Sequence, residues 1–490
     1  MDCVDLKILP TSWSARHGID ILMTQEFLRQ YIAGDWQPSA SNETIEITDP
    51  ATGAPVARVV CGDERDALAA ASAARGAWIG WSTTPLERRV EFVQRFGAAL
   101  ARGKDALAQT IAAEVGTPLK IAQIVQVDSP IRNVEHFIEA ARTLDWERQI
   151  GNSQVLREPV GVVACITPWN FPLHQIVLKI VPALLGGNTV VVKPSEMVPR
   201  TNELICAALH EAGFPAGVVN VVTGTGPVVG ACLATTGLVD MVSFTGSTEA
   251  GIAVTAMAAA TVKKVTTELG GKSPSLVLPG ADLARAVKGT LGSCMLNNGQ
   301  TCSALTRLLV PAQQRADVEA LLRQEMAKLT VGPALSEGTR VGPLVSPRQS
   351  ERAQALIDDG IAQGAVAINE AAPVPAHGNY VSPQAFWVER DNPLARAEVF
   401  GPVLTVLTYD SVDDGIALAN DSVYGLAAAV WGEPKQALQA ARQIRAGQVD
   451  INGARFNPLA PFGGFKQSGV GREAGAIGLE EFLEFKAIQT

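Results

Sequence analysis

Between Asp63 and Ala113 apolar positions recur at intervals of three and four, as in DALAAASAARGAW and RRVEFVQRFGAALARG, a period that predicts surface helices. From Gly161 the texture changes. Short β-branched runs, GVVACI, TVVVKP, VVNVVTG and VDMVSFTG, alternate with helical segments, so a parallel sheet with crossovers is expected. After Gly270 the alternation resumes in SLVLPG, TRLLVPA, VLTVLTYD, LAAAVW and QVDING, bounded by Gly, Pro and Asp, and predicts a second α/β lobe. The sequence shows no fixed-period repeat, low-complexity tract or heptad run. Pro159 to Leu178 carries no formal charge over about 20 residues, enough to span a bilayer. Three prolines and the polar Asn170, His174 and Gln175 argue instead for a buried strand followed by a loop, and no membrane partner is expected.

Composition narrows the picture. A chain of 490 residues exceeds the usual single core, so two or three packed lobes are expected. Forty basic against 49 acidic residues, without a basic patch, argue against a nucleic-acid partner. The seven cysteines are odd in number, lack C-x-x-C spacing and mostly sit among apolar neighbours, which points to a reducing compartment and a cytoplasmic location. The five histidines lack the i, i+4 pairing that places two imidazoles on one helix face, so no metal site is expected. The first 22 residues hold Asp2, Asp5, Lys7, Arg16 and Asp20 and no apolar core, unlike a signal or transit peptide. Residues 1–24 read as an unstructured leader, and MTQEFLRQYIAGDW from Met23 reads as a natural start of translation.

Four segments carry candidate chemistry. VDMVSFTGSTEAGIAV is a strand, a glycine turn and a helix, where backbone N–H groups and the helix dipole can meet a diphosphate near Ser247. A plain strand-to-helix turn capped by Ser247 or Thr248 accounts for it equally well. Gly224, Gly226 and Gly230 give G-x-G-x-x-x-G, one residue too long for the dinucleotide fingerprint. TVVVKPSE ends a strand in Lys193 and Glu196, a cation and a carboxylate that could reach an adenosine ribose; two solvated charges are the simpler account. NNGQTCSALTR sets Cys302 among small and polar residues with Gly299 just upstream, which suits a nucleophile, although an isolated cysteine is more often structural. KVTTELGGKSP places Glu268 at a strand end before two glycines, as a general base if burial raises its pKa, or as a surface residue before a turn.

Together these segments resemble the aldehyde dehydrogenase superfamily, of the hydrolytic rather than the CoA-acylating type: TPWNFPL, KPSE, FTGST, ELGGKSP, NNGQTC, EVFGPV and PFGGFKQSGVGRE occur in the family's order from about Glu26 onward. The resemblance implies an α/β fold with a Rossmann-type cofactor domain, an α/β catalytic domain and a small β oligomerisation arm. Residues 25–142 and 160–269 would form the NAD-binding domain, 270–465 the catalytic domain, and 143–159 with 466–490 the arm and C-terminal segment. It implies Cys302 as the nucleophile, Asn170 as an oxyanion donor and Glu268 as the base that activates the hydrolytic water. Lys193, Ser195 and Glu196 would lie at the adenosine ribose, and Gly226, Phe244, Gly246 and Ser247 near the diphosphate. Ile166, Pro168, Trp169 and Leu269 would line the cleft, and Glu398 and Phe400 would meet the nicotinamide ribose and ring. Lys179 and Glu473 match positions proposed to relay protons, or form an ion pair. Glu196 implies NAD over NADP, because a carboxylate repels a 2′-phosphate.

The implied substrate tunnel runs past Phe171, His174, Leu178, Met295, Leu296, Thr301, Ser303, Phe456 and Phe462. Its walls suit an aliphatic or aryl aldehyde, or a carboxylated semialdehyde if His174 and Arg455 face inward; His174 reads more simply as structural. The resemblance also implies a homodimer or homotetramer paired through Thr143 to Glu158 and Phe482 to Ile488. Against the rivals, a CoA-acylating enzyme would lack Glu268, and a non-catalytic relative would have lost one of Asn170, Glu268 and Cys302. A cofactor-independent cysteine hydrolase would need a histidine partner that sequence cannot place.

Overall fold

The computed structural model describes residues 25–490; the leader expected over 1–24 and the start expected at Met23 lie outside the described residues. Each β-branched run forms the strand expected of it. The first group builds an eight-stranded sheet whose central five strands are parallel, in the order Lys264–Glu268, Met241–Thr245, Val162–Ile166, Thr189–Lys193 and Val219–Val221. Arg29–Ile32 and Asp35–Pro38 extend one edge antiparallel, and Gly469–Val470 returns from the C-terminal segment to close the other. The residues of Met241–Thr245, Val162–Ile166 and Thr189–Lys193 are buried throughout, as continuous apolar runs covered by helices on both faces require.

The helices predicted over Asp63 to Ala113 are Glu64–Ser82, Leu86–Arg102 and Lys104–Val115. The first begins in a capping box, with the Asp63 side chain accepting from the Asp66 backbone N–H and the Asp66 side chain answering. Ala67, Ala70, Ala71 and Ala74 lay its small-residue face against the sheet, in one apolar cluster with Val162, Val191 and Val242. Its other face is exposed.

The second lobe is a seven-stranded sheet, Val366–Ala367, Gln384–Trp387, Val403–Tyr409, Leu305–Pro311, Ser273–Val277, Ala427–Trp431 and Gln448–Ile451, parallel except for the first strand. Two separate apolar clusters cover its faces, one around Phe386 and Leu394, the other around Leu308 and Trp387. A third, antiparallel sheet joins Glu147–Ile150, Ser153–Pro159 and Leu483–Gln489. Among the described residues no helix is long and apolar enough to cross a membrane.

The order of the first sheet locates its ligand crevice. After Val162–Ile166 the chain adds Thr189–Lys193 and Val219–Val221 on one side, then crosses to add Met241–Thr245 and Lys264–Glu268 on the other. The connections leaving Ile166 and Thr245 therefore part in opposite directions, and the gap beyond those carboxyl ends is where an open α/β sheet binds ligands.

Asn188 anchors this arrangement. Its Oδ1 accepts from Gly161 N at 2.9 Å and its Nδ2 donates to the carbonyls of Ala183 and Phe482 at 3.0 and 2.9 Å, joining the sheet to the C-terminal strand. Asn188→Leu orphans the buried Gly161 N–H at about 1–3 kcal/mol and takes one of two donors from the Ala183 and Phe482 carbonyls, so the thermal denaturation midpoint of this variant is expected to fall below that of the wild type. An unchanged midpoint would contradict the assignment.

Candidate active site

Three loops meet beyond the switch point. The first, Thr167 to Phe171, follows strand Val162–Ile166 and leads into helix Pro172–Leu185 with Asn170 buried at its start. The second, Asn297 to Cys302, follows helix Leu283–Cys294. The third, Leu269 to Lys272, leaves strand Lys264–Glu268 for the second sheet.

The cysteine loop is held by buried amides. Asn297 and Asn298 both lie in the left-handed region, at φ +52° and +62°, where asparagine is among the few tolerated non-glycine residues. Asn297 Nδ2 donates to the carbonyls of Asn170 at 2.9 Å and Gln300 at 3.2 Å, while its Oδ1 accepts from Gln126 Nε2 and from the Thr117 hydroxyl. Asn298 Nδ2 donates to Gly116 O and Pro343 O, and Oδ1 accepts from Gly342 N. Gln300 Oε1 accepts from Val345 N. The motif NNGQTC thus fastens its loop to three separate segments before reaching Cys302. Asn297, Asn298 and Gln300 were not singled out in the sequence; paired asparagines before a glycine are the signal that could have found them.

Asn170 faces the same loop. One of its two Nδ2 hydrogens donates to Gln300 O at 3.0 Å, which fixes the amide plane and leaves the other N–H for a ligand. Glycines allow the remaining approaches: a Cβ on Gly271 would lie 2.4 Å from the Cys302 carbonyl, and one on Gly299 would lie 2.0 Å from the Gly401 carbonyl. Gly270 leaves room for the Glu398 carboxylate, whose Oε1 accepts from Gly271 N at 2.9 Å.

The charges are acidic and desolvated. Burial pushes the Cys302 thiol up, and Glu398 and Glu268 push it further. Glu268, 5% exposed, has an unpartnered Oε2; burial and Glu473 raise its carboxyl well above the usual range, against the pull of Lys179 and Arg472. Burial likewise lifts Glu398 to about 7. Lys179 Nζ sits 2.6 Å from Glu473 Oε1 and donates to Ser243 Oγ at 3.2 Å, so the pair is a buried ion pair beside Glu268.

Around the crevice, Ile166, Phe244 and Leu269 share one apolar cluster with Val229. The Trp169 ring stands edge-on to Phe400, 5.6 Å between centroids, with Phe400 at φ +56°. Ser247 caps helix Thr248–Ala259 by accepting from Ala250 N at 3.2 Å, and Gly246 N donates to Glu268 O, tying that turn to the base-bearing strand. Farther along the sheet edge, Lys193 and Glu196 pair at 3.0 Å and Ser195 O accepts from Asn202 Nδ2. Pro168 precedes Trp169 in the first loop, half-buried. Gly226 opens the turn Gly226–Gly230, and a methyl there would meet nothing within 4 Å, so no close approach demands glycine.

On the far side of Asn170, Phe171 and His174 stack edge-on at 6.5 Å, and Leu178 and Met295 are buried. Burial lowers His174 to about 4 against the Val125 backbone carbonyl, so the ring is neutral near pH 7. Phe456 and Phe462 meet edge-on at 6.1 Å, and Arg455 is exposed. Thr301 Oγ1 donates to Leu296 O, beside a half-buried Ser303.

The profile of the aldehyde dehydrogenase family matches residues 36–488. The chain belongs to this family. A 3-succinoylsemialdehyde-pyridine dehydrogenase from a Pseudomonas species is 42% identical over 475 residues, covering 95% of this chain and 98% of the relative. An aldehyde dehydrogenase C variant from Pseudomonas syringae, solved with NAD+ and octanal, superposes with a TM-score of 0.92 at 43% identity over 94% of this chain and 96% of that one. The Mycobacterium tuberculosis aldehyde dehydrogenase solved with NAD+ gives 0.92 at 37% identity, covering 96% and 99%. The α/β architecture expected from the motifs is that of the family.

In this aldehyde dehydrogenase the raised thiol has a direct chemical consequence. Only the thiolate is alkylated, so in cofactor-free protein the rate of iodoacetamide labelling at Cys302 is expected to climb with pH and still be rising at about pH 9. A plateau near neutrality would show a thiolate stabilised by something other than these neighbours.

Proposed function

We propose that the protein oxidises an aldehyde to a carboxylic acid with NAD as electron acceptor, through a thioester on Cys302. The observation that carries this reading is the convergence of Cys302, the Asn170 amide and the desolvated Glu268 carboxylate at the carboxyl ends of one parallel sheet. The cofactor fits the residues present. The open turn at Ser247 offers helix N–H groups to a diphosphate, Glu398 occupies the space beside Gly270, and Glu196 with Lys193 offers a ribose-binding edge. The carboxylate of Glu196 disfavours a 2′-phosphate and so selects NAD.

Cys302 Sγ gives its proton to solvent water and adds as the thiolate to the aldehyde carbon, and the oxygen becomes an oxyanion that takes the free Asn170 N–H and the Cys302 backbone N–H. Losing one such donor costs about 10²- to 10³-fold in rate. NAD when bound supplies the acceptor for the hydride that leaves the same carbon, and the carbonyl re-forms as a thioester. Glu268 then takes a proton from water as the water oxygen attacks the thioester carbon, the C–S bond breaks, and the sulfur leaves as thiolate. Glu268 then gives that proton up to solvent, and the adjacent Lys179–Glu473 pair supports a relay for it.

A substrate with an uncharged, apolar tail is supported by the buried Leu178 and Met295 at positions flanking the matched motifs and by a neutral His174, which offers no counter-charge to a carboxylate. Residues 25–142 and 160–269 serve the cofactor and 270–465 the chemistry. Strand Leu483–Gln489 ends the third sheet with Phe485 and Ile488 exposed, which supports pairing into a homodimer or homotetramer. Six free cysteines among the described residues support a cytoplasmic location.

Purified protein is expected to form NADH from aliphatic and aryl aldehydes without CoA, at least about tenfold better than it forms NADPH. Glu268 acts deprotonated, so its raised pKa places the loss of turnover above the usual carboxylate range as pH falls. A strict requirement for CoA would overturn the hydrolytic step, and equal use of NADP would overturn the role of Glu196.

A further inference from the structure

The base sits in a slot with one missing wall. A Cβ built on Gly463 would lie 2.7 Å from Glu268 Oε1, 2.7 Å from the Gly471 carbonyl and 2.9 Å from Arg472 Cδ. Each is far inside van der Waals contact, so a methyl there displaces at least one of the three. The backbone around the slot is pinned. Phe462 N donates to Glu473 O at 2.7 Å and Glu473 N to Phe462 O at 2.6 Å, which ties Gly463 to the segment carrying Arg472. The Gly463 carbonyl rests against Gly447, where a Cβ would come within 1.6 Å of it. Arg472 Nη1 donates to the carbonyls of Gly464 and Gly471, and Arg472 N donates to Glu481 Oε1. The Glu268 carboxylate is the loose member of the set, since its Oε2 has no partner.

We propose that Gly463 is a positioning residue for thioester hydrolysis: its absent side chain leaves the slot, bounded by the Gly471 carbonyl and the Arg472 stem, in which the Glu268 carboxylate is held. The inference rests on the reading of Glu268 as the base and assigns what places it. Glu268 ends a strand and its backbone is fixed by Gly246 and Gly469, so only the side-chain rotamer decides whether the carboxylate faces the sulfur's water or turns away. Acylation of Cys302 does not need that rotamer. Hydrolysis does.

In Gly463→Ala, the first turnover of NADH per site is expected within about threefold of wild type while steady-state turnover falls about 100-fold, and acyl-Cys302 accumulates in the intact mass. A parallel loss of both phases would mark a general structural defect and overturn the inference, as would unchanged turnover. Gly463 lies at φ +155°, so the variant also carries backbone strain. Should it not fold, Glu268→Asp asks the same question by withdrawing the carboxylate from the slot by one methylene. It is expected to keep the first turnover and lose hydrolysis to a similar extent, and full hydrolysis there would overturn the inference. Glu268→Gln separates the two readings. Hydrolysis intact in Glu268→Gln rejects the base itself, whereas hydrolysis blocked in Glu268→Gln but intact in Gly463→Ala rejects only the slot.

Discussion

The Asn297 side chain bonds both loops that the chemistry needs. Its Nδ2 donates to Asn170 O and Gln300 O, so the proposed oxyanion donor and the cysteine loop share one buried amide, and its Oδ1 is held in turn by Gln126 and Thr117. A buried amide satisfied on both sides is worth more than its separate bonds, because every partner left open would pay a desolvation penalty. Asn170, Gln300 and Cys302 keep their mutual geometry because this junction does. The left-handed backbone at Asn297 and Asn298 is tolerated for the same reason: the surrounding bonds over-determine it.

The acidity of the site has a separate cause. Glu268 is buried and Glu398 and Cys302 are half-buried beside one another, and desolvation drives each toward its neutral form. A cysteine among carboxylates is a poor nucleophile at rest. The same desolvation raises the proton affinity of the Glu268 carboxylate, so one physical cause restrains the first step and strengthens the base of the last. Lys179 and Glu473 are paired in the interior next to Glu268, where Glu473 raises the Glu268 carboxyl more than Lys179 lowers it.

Much of this was legible in the sequence, because period and composition report burial. The runs GVVACI, TVVVKP and VDMVSFTG became fully buried parallel strands, and Ser247 caps a helix, as one of the two equal accounts of that stretch expected. The motif order placed the chain in its family. What stayed hidden depends on contacts across long sequence separations. Nothing near Asn297 announces Asn170, Thr117 or Gln126 as its partners, and nothing near Gly463 announces that Glu268 fills the space it leaves. His174 was readable as structural, but the burial that makes its ring neutral, against the upward pull of the Val125 backbone, comes from packing that its local sequence does not report.

The central claim is that oxidation passes through an acyl group on Cys302. The direct measurement is rapid acid quenching of enzyme mixed with NAD and an aldehyde, followed by peptide mass spectrometry. The account predicts an added acyl mass on the peptide that contains Cys302, formed with the first equivalent of NADH and lost on the timescale of turnover. NADH formed at full rate with Cys302 unmodified at every time point, or the acyl mass found on another cysteine, would contradict it.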